Sequence, residues 1–156
     1  MLSYSLEIDD FSSDEYHLLG VHSGLEDYQL AFLLNKYLKI SLQKAAFELE
    51  FDEKTTKKHF SVFEYSNEEL DYDLFLLSNK CNVKNESLNF GLFDSVDTIK
   101  YLIPEQKNVD FFIKIEGEVD TFFVQEQVGQ VRKISQISTT YIIEANTLKS
   151  KNFLIF

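Results

Sequence analysis

The chain has 156 residues, a formal net charge of −11 and a single cysteine, which sets one domain over residues 1–156 with a core that needs neither disulfides nor metal. The acidic balance, with basic residues adjacent only at Lys57-Lys58 and Arg132-Lys133, repels phosphate backbones, so no nucleic-acid partner is expected. Lone Cys81 fits a reducing compartment, the start of the chain lacks a basic, apolar-cored leader, and no apolar run spans a bilayer; the expectation is a cytoplasmic protein with no membrane partner.

In chain order, Tyr4, Leu6 and Ile8 alternate with polar residues as in a half-buried strand. Tyr16 to His22 reads as a second strand, with Gly20 marking a bulge or a close backbone approach. Ser23-Gly24-Leu25-Glu26 has capping-box spacing and opens a helix to about Lys39, on which Leu30, Ala31, Leu34 and Leu38 form one apolar stripe. Residues 45–51 alternate again, Lys58 to Tyr65 returns as a strand, and Tyr72 to Leu77 adds a third, an antiparallel meander rich in aromatic pairs. Asn79 to Glu86 reads as a polar loop, followed by short strands at Leu88–Leu92 and Thr98–Ile103.

Pro104, the only proline, has a fixed φ and pushes Ile103 towards extended geometry, so one strand ends at Ile103 and the next starts at Val109. Val109, Phe111, Ile113 and Ile115 form the apolar face of that strand. Asp120 caps a helix from about Thr121 to Ile134, with Phe123, Val124, Val128, Val131 and Ile134 on one face and Gln127 in its middle. Thr139 to Glu144 completes a β-α-β unit. The apolar end, Asn152 to Phe156, is expected to dock as an edge strand. The fold class is therefore α+β: an antiparallel-dominated mixed sheet of many short strands, with two helices packed against it and a C-terminal β-α-β unit.

Ile103-Pro104-Glu105, three residues, then Val109-Asp110-Phe111 resembles the signature of the bacterial IPExxxVDY family, with Phe111 where the family name has Tyr. Phe60–Tyr65, Ile113–Gly117 and Leu148–Phe156 also look like that family, so the likeness covers nearly the whole chain. It implies a bacterial protein and brings no activity, because the family is named for its motif. The departure at Phe111 removes the hydroxyl that a phenol-based role would need.

Candidate site residues are few. Pro104, Glu105 and Asp110 lead, either as a ligand loop whose two carboxylates converge or as a structural bend whose carboxylates accept backbone N–H groups; the structural reading is the preferred one. His22, which brackets Gly20 with His17, and Gln127, which interrupts an apolar helix face, are weaker candidates. Ser23 beside His22 suggests a nucleophile and base, but a cap is the better use of that hydroxyl. Asp71 and Asp73 share a strand face as metal ligands would, yet hairpin acids are usually just solvated, so no metal is expected. No phosphate-loop, dinucleotide, nucleophile-elbow or zinc-protease motif occurs, and neither a cofactor nor a catalytic residue is expected.

The leading expectation is a non-catalytic protein–protein interaction module. The alternative is a small-ligand-binding regulatory domain with a pocket near Gly117, and an enzyme comes third. Two helices shield only about four or five strands, so an uncovered aromatic sheet face is expected to seek a protein partner or a second copy.

Overall fold

The computed structural model describes residues 16–53, 56–85 and 96–156. The expected strands at Tyr4 and at Leu88–Leu92 lie outside these residues. In order the chain forms β1 (Tyr16–Ser23), α1 (Asp27–Leu38), β2 (Gln43–Lys44), β3 (Leu49–Glu53), β4 (Thr56–Phe60), β5 (Val62–Asn67), β6 (Tyr72–Ser78), β7 (Lys80–Asn85) and β8 (Val96–Tyr101). A 3₁₀ turn (Pro104–Gln106), β9 (Phe111–Gly117), α2 (Thr121–Arg132), β10 (Ile137–Ile143) and two further 3₁₀ turns (Ala145–Thr147, Lys151–Leu154) complete it. The α+β class is observed. No described helix is long and apolar enough to cross a membrane.

Six strands form one sheet in the order β10-β1-β9-β6-β5-β2, and each neighbouring pair is antiparallel. The expected mixed sheet is thus corrected: among the described strands no pair is parallel. The β-α-β unit exists, but β1 lies between β9 and β10, so the two strands run the same way without touching. β1, α1 and β6 make a second unit of this kind, with β9 in the gap. β10, β1, β9, β6 and the two helices therefore have the connectivity called ferredoxin-like, with β2 to β5 inserted after α1 and β7 and β8 inserted between β6 and β9. The connectivity implies nothing about function by itself.

Strand periodicity assigns the two faces. Leu19, Val21, Leu74, Leu76, Phe111, Ile113 and Ile115 pack under Leu30, Ala31 and Leu34 of α1 and Val124, Val128 and Val131 of α2. Leu18, Leu77 and Phe112 point the other way, against Leu49, Phe60, Leu102, Ile103, Val109, Leu148 and Leu154. The β3–β4 ribbon, the proline loop and the C-terminal turns thus cover the second face. The sheet face expected to be uncovered is therefore covered from within the chain, apart from the aromatic side chains described below. Each fully buried Phe or Leu contributes about 1.5–3 kcal/mol to either layer.

Local structure departs from the sequence reading where tertiary contacts decide. Ser23 stays in β1, paired with Ile137, and the capping box moves three residues on: Glu26 is the N-cap and Gln29 reaches back to its N–H at 3.0 Å. The strand expected over 58–65 breaks at Ser61, where the chain leaves the β3–β4 ribbon for the main sheet; the Ser61 carbonyl accepts from Ser78 N–H at 3.2 Å. Residues 80–85 are a strand instead of a loop, paired with β8 from Lys80–Tyr101 to Asn85–Val96. The strand expected over 45–51 begins only at Leu49, and β9 begins at Phe111 instead of Val109. The C-terminal segment is a 3₁₀ turn with Leu154 buried, not an edge strand. Asp120 does cap α2, accepting the Phe123 N–H at 2.8 Å. Gly20 is a close approach, since a Cβ there would meet Ile143 Cδ1 at 2.8 Å.

Candidate functional site

The proline loop is built around a residue the sequence reading placed in a featureless stretch. Asn79 is fully buried between β6 and β7. Its Oδ1 accepts the Ile103 N–H at 2.9 Å, and its Nδ2 donates to the carbonyls of Gln106 at 2.8 Å and Val109 at 2.7 Å. Its backbone N–H donates to Asp110 O at 3.0 Å and its carbonyl accepts the Leu102 N–H at 2.8 Å. One amide thereby satisfies both limbs of the loop, which a buried non-repetitive segment requires. Pro104 occupies the first position of the 3₁₀ turn, where its missing N–H costs nothing.

The two signature acids do not converge. Glu105 turns to the C-terminal segment, where it accepts the Ser150 N–H at 2.7 Å and the Ser150 hydroxyl at 2.9 Å. Burial, the largest single influence, raises the Glu105 pKa, but hydrogen bonds from Ser150, its own N–H and Lys149 together outweigh it and hold it below the ordinary glutamate value. Asp110 turns to the start of α1, where it accepts the Ser23 N–H at 2.9 Å and the Lys80 ammonium at 2.6 Å. Each acid is spent on a separate clasp. Phe111 is buried under the helices.

His22 donates to or accepts from Tyr141 Oη at 2.9 Å, and the Ser23 hydroxyl donates to Gln136 O and accepts the Leu25 N–H. Their bonds lie with different partners, so they form no nucleophile–base pair. Gln127 is half-buried on α2, its side chain makes no hydrogen bond to another described residue, and it lines neither cleft described below. The free N–H groups that a helix N-terminus offers an anion are largely taken by the Glu26–Gln29 box and by Asp27, which accepts the Tyr28 N–H at 2.7 Å.

Two clefts open beside these elements. One, about 600 Å³, lies between the α1 entry (Ser23 to Asp27), Lys44 and Glu48, the β4 side chains Lys57 and His59, Ser61, and Lys80 with Asp110. The other, about 570 Å³, sits at Gly117 and is walled by Glu68, Asp71, Asp73, Glu116 and Glu118 with Tyr72. Gly117 has φ +128° and a Cβ there would overlap the Asp71 carbonyl, so glycine is required. Asp73 bonds Ser66 Oγ at 2.5 Å, and no described group of three or more His, Cys, Asp or Glu is arranged to hold a metal. Burial, chiefly, raises the Tyr72 phenol above its usual range.

A third feature was not legible from spacing. Lys114, on the non-helical face of β9, is 1% exposed, yet is ion-paired with Glu116 and enclosed by the rings of Phe156 at 4.2 Å, Tyr16 at 4.9 Å and Phe75 at 5.7 Å. Phe156 also meets Phe75 and Phe47 at centroid distances of 5.1 and 5.8 Å, and Phe153 meets Phe51 at 4.7 Å. Phe47, Phe153, Ile155 and Phe156 each remain 41–50% exposed, forming an aromatic patch above the buried ammonium. Comparison with family models, with curated proteins and with solved structures finds no match.

Proposed function

We propose that this protein is a non-catalytic cytoplasmic interaction module that engages a basic protein through the aromatic patch of Phe47, Phe51, Phe153, Ile155 and Phe156, and that its IPExxxVDY-like loop is a structural clasp. The observation that carries the reading is the partial exposure of four large apolar side chains in and against the C-terminal segment, three of them aromatic rings, beside a core that is otherwise well covered. Aromatic side chains with one buried and one open face suit the centre of an interface. The chain carries −11 overall, so a second copy is repelled while a partner rimmed with Lys and Arg is attracted. Signature acids committed to Ser150, Ser23 and Lys80 support a structural loop over a catalytic one. A lone thiol fits the reducing compartment.

The test places a photo-crosslinking amino acid at Phe153 and, as a control, at exposed Phe122 of α2 in the native cell. The expected result is one protein crosslinked only from Phe153, through a surface mapped by mass spectrometry to apolar residues flanked by Lys or Arg, and lost in Phe156→Asp. Equal crosslinking from both positions, an acidic contact surface, or patch-dependent self-association in sedimentation overturns the reading.

A further inference from the structure

We propose that the cleft between the α1 entry and β4 binds a small amphoteric molecule, its amine at Asp27 and Glu48 and its anionic group at Lys57. The lining carries both charge signs, and the groups differ in how far they are committed. Lys80 and Asp110 are closed on each other at 2.6 Å, and the second Asp110 oxygen holds Ser23 N–H, so this pair is spent. Lys44 lies 3.7 Å from Asp27 and 3.8 Å from Glu48, beyond hydrogen-bond length to both, which leaves each carboxylate with accepting capacity. Ser61 Oγ is shielded from solvent and has no hydrogen-bond partner among the described residues, the only such side-chain atom among them. A hydroxyl left alone there keeps acceptor capacity that a ligand amine can use once the cleft is occupied.

The opposite pole lies along β4. Lys57 and His59 alternate on the same side of the strand, and Ser61 follows directly after it. His59 Nδ1 marks the acidic end, 3.6 Å from Glu48 and 3.3 Å from Glu50. Lys57 sits one strand repeat further, about 6.6 Å on, opposite Asp52 of β3 but closed in no ion pair among the described residues. Carboxylates with accepting capacity and a lysine outside any close ion pair, lining one cleft, complement a molecule whose own charges are separated by a short aliphatic spacer. A simple anion gains only Lys57 and meets the carboxylates; a simple amine leaves Lys57 unpaired.

Calorimetric titration with ε-aminocaproate, caproate and hexylamine tests this on the whole chain. The expected result is millimolar or tighter binding of ε-aminocaproate, at least tenfold weaker binding of either half-molecule, and a tenfold loss for ε-aminocaproate in both Lys57→Met and Glu48→Gln. Both side chains are exposed, so the variants should melt as the parent does, and binding is read directly. Absence of binding, equal binding of a half-molecule, or undiminished binding in either variant overturns the proposal.

Discussion

Replacing Asn79 with alanine removes three hydrogen bonds at one stroke, and the structure sets the scale of the loss. The Ile103 N–H and Val109 carbonyl belong to fully buried residues, while the Gln106 carbonyl is nearer solvent and can recover a water. Two groups left unmade at about 1–3 kcal/mol each give a cost of about 2–6 kcal/mol, a large part of the 5–15 kcal/mol that holds a typical domain. Asn79→Asp should be at least as costly: it keeps an acceptor for Ile103 but turns a carboxylate on two carbonyls in a dry site. Urea unfolding should show a lowered midpoint at an unchanged slope, with exposed Asn82→Ala as a control within about 0.5 kcal/mol. A loss below about 1 kcal/mol for Asn79→Ala, or one no larger than for Asn82→Ala, refutes the idea that this amide holds the loop.

Other consequences can be checked in the same assay. Glu105→Gln should destabilise by about 1 kcal/mol at neutral pH, discounted for its exposed setting. Because the folded pKa is depressed, that contribution is present above the unfolded glutamate value of about 4.3 and disappears as pH falls through the folded value; a difference that persists in acid contradicts this. Glu116→Gln, which strands the Lys114 ammonium among three rings, should cost about 1–3 kcal/mol and more than Lys114→Met, which removes the buried charge itself. The reverse order in denaturation would show that the rings alone satisfy the cation. Gly117→Ala should lose about 1–3 kcal/mol from a strained positive φ and overlap with Asp71, read as a lower melting temperature.

How much of this was legible depended on where the determining contacts lie. β1, the apolar stripe of α1, β9 and the Asp120 cap follow from periods and spacings within a dozen residues, and each appears close to its expected place. β7 carries only a short alternation, Cys81 and Val83 between Lys80, Asn82 and Lys84, too few apolar residues to outweigh a polar-loop reading; pairing with β8 makes it a strand. The break at Ser61 depends on two different partner strands, again a tertiary fact. Of the candidate site, Glu105 and Asp110 were visible as acids flanking a proline turn, but not that they face Ser150 and Ser23. Asn79 and Lys114 carried no signal: one polar residue in a polar run, one lysine in a strand. Their importance comes from what the topology folds over them.

The place of β1 in the sheet has a consequence for synthesis. This first described strand needs β9 on one side and β10 on the other, partners that begin at Phe111 and Ile137. A chain emerging from the ribosome N-terminus first therefore carries this interior strand unpaired until β9 and β10 have been made. Most of the sheet's pairing closes over long sequence distances, which slows folding and leaves Leu18, Leu19 and Val21 uncovered meanwhile. Nascent chains stalled before residue 137 should be held by chaperones or lost to proteolysis, and a sharp gain in protease resistance should coincide with release of β10; resistance acquired once only α1 to β6 has emerged would contradict it.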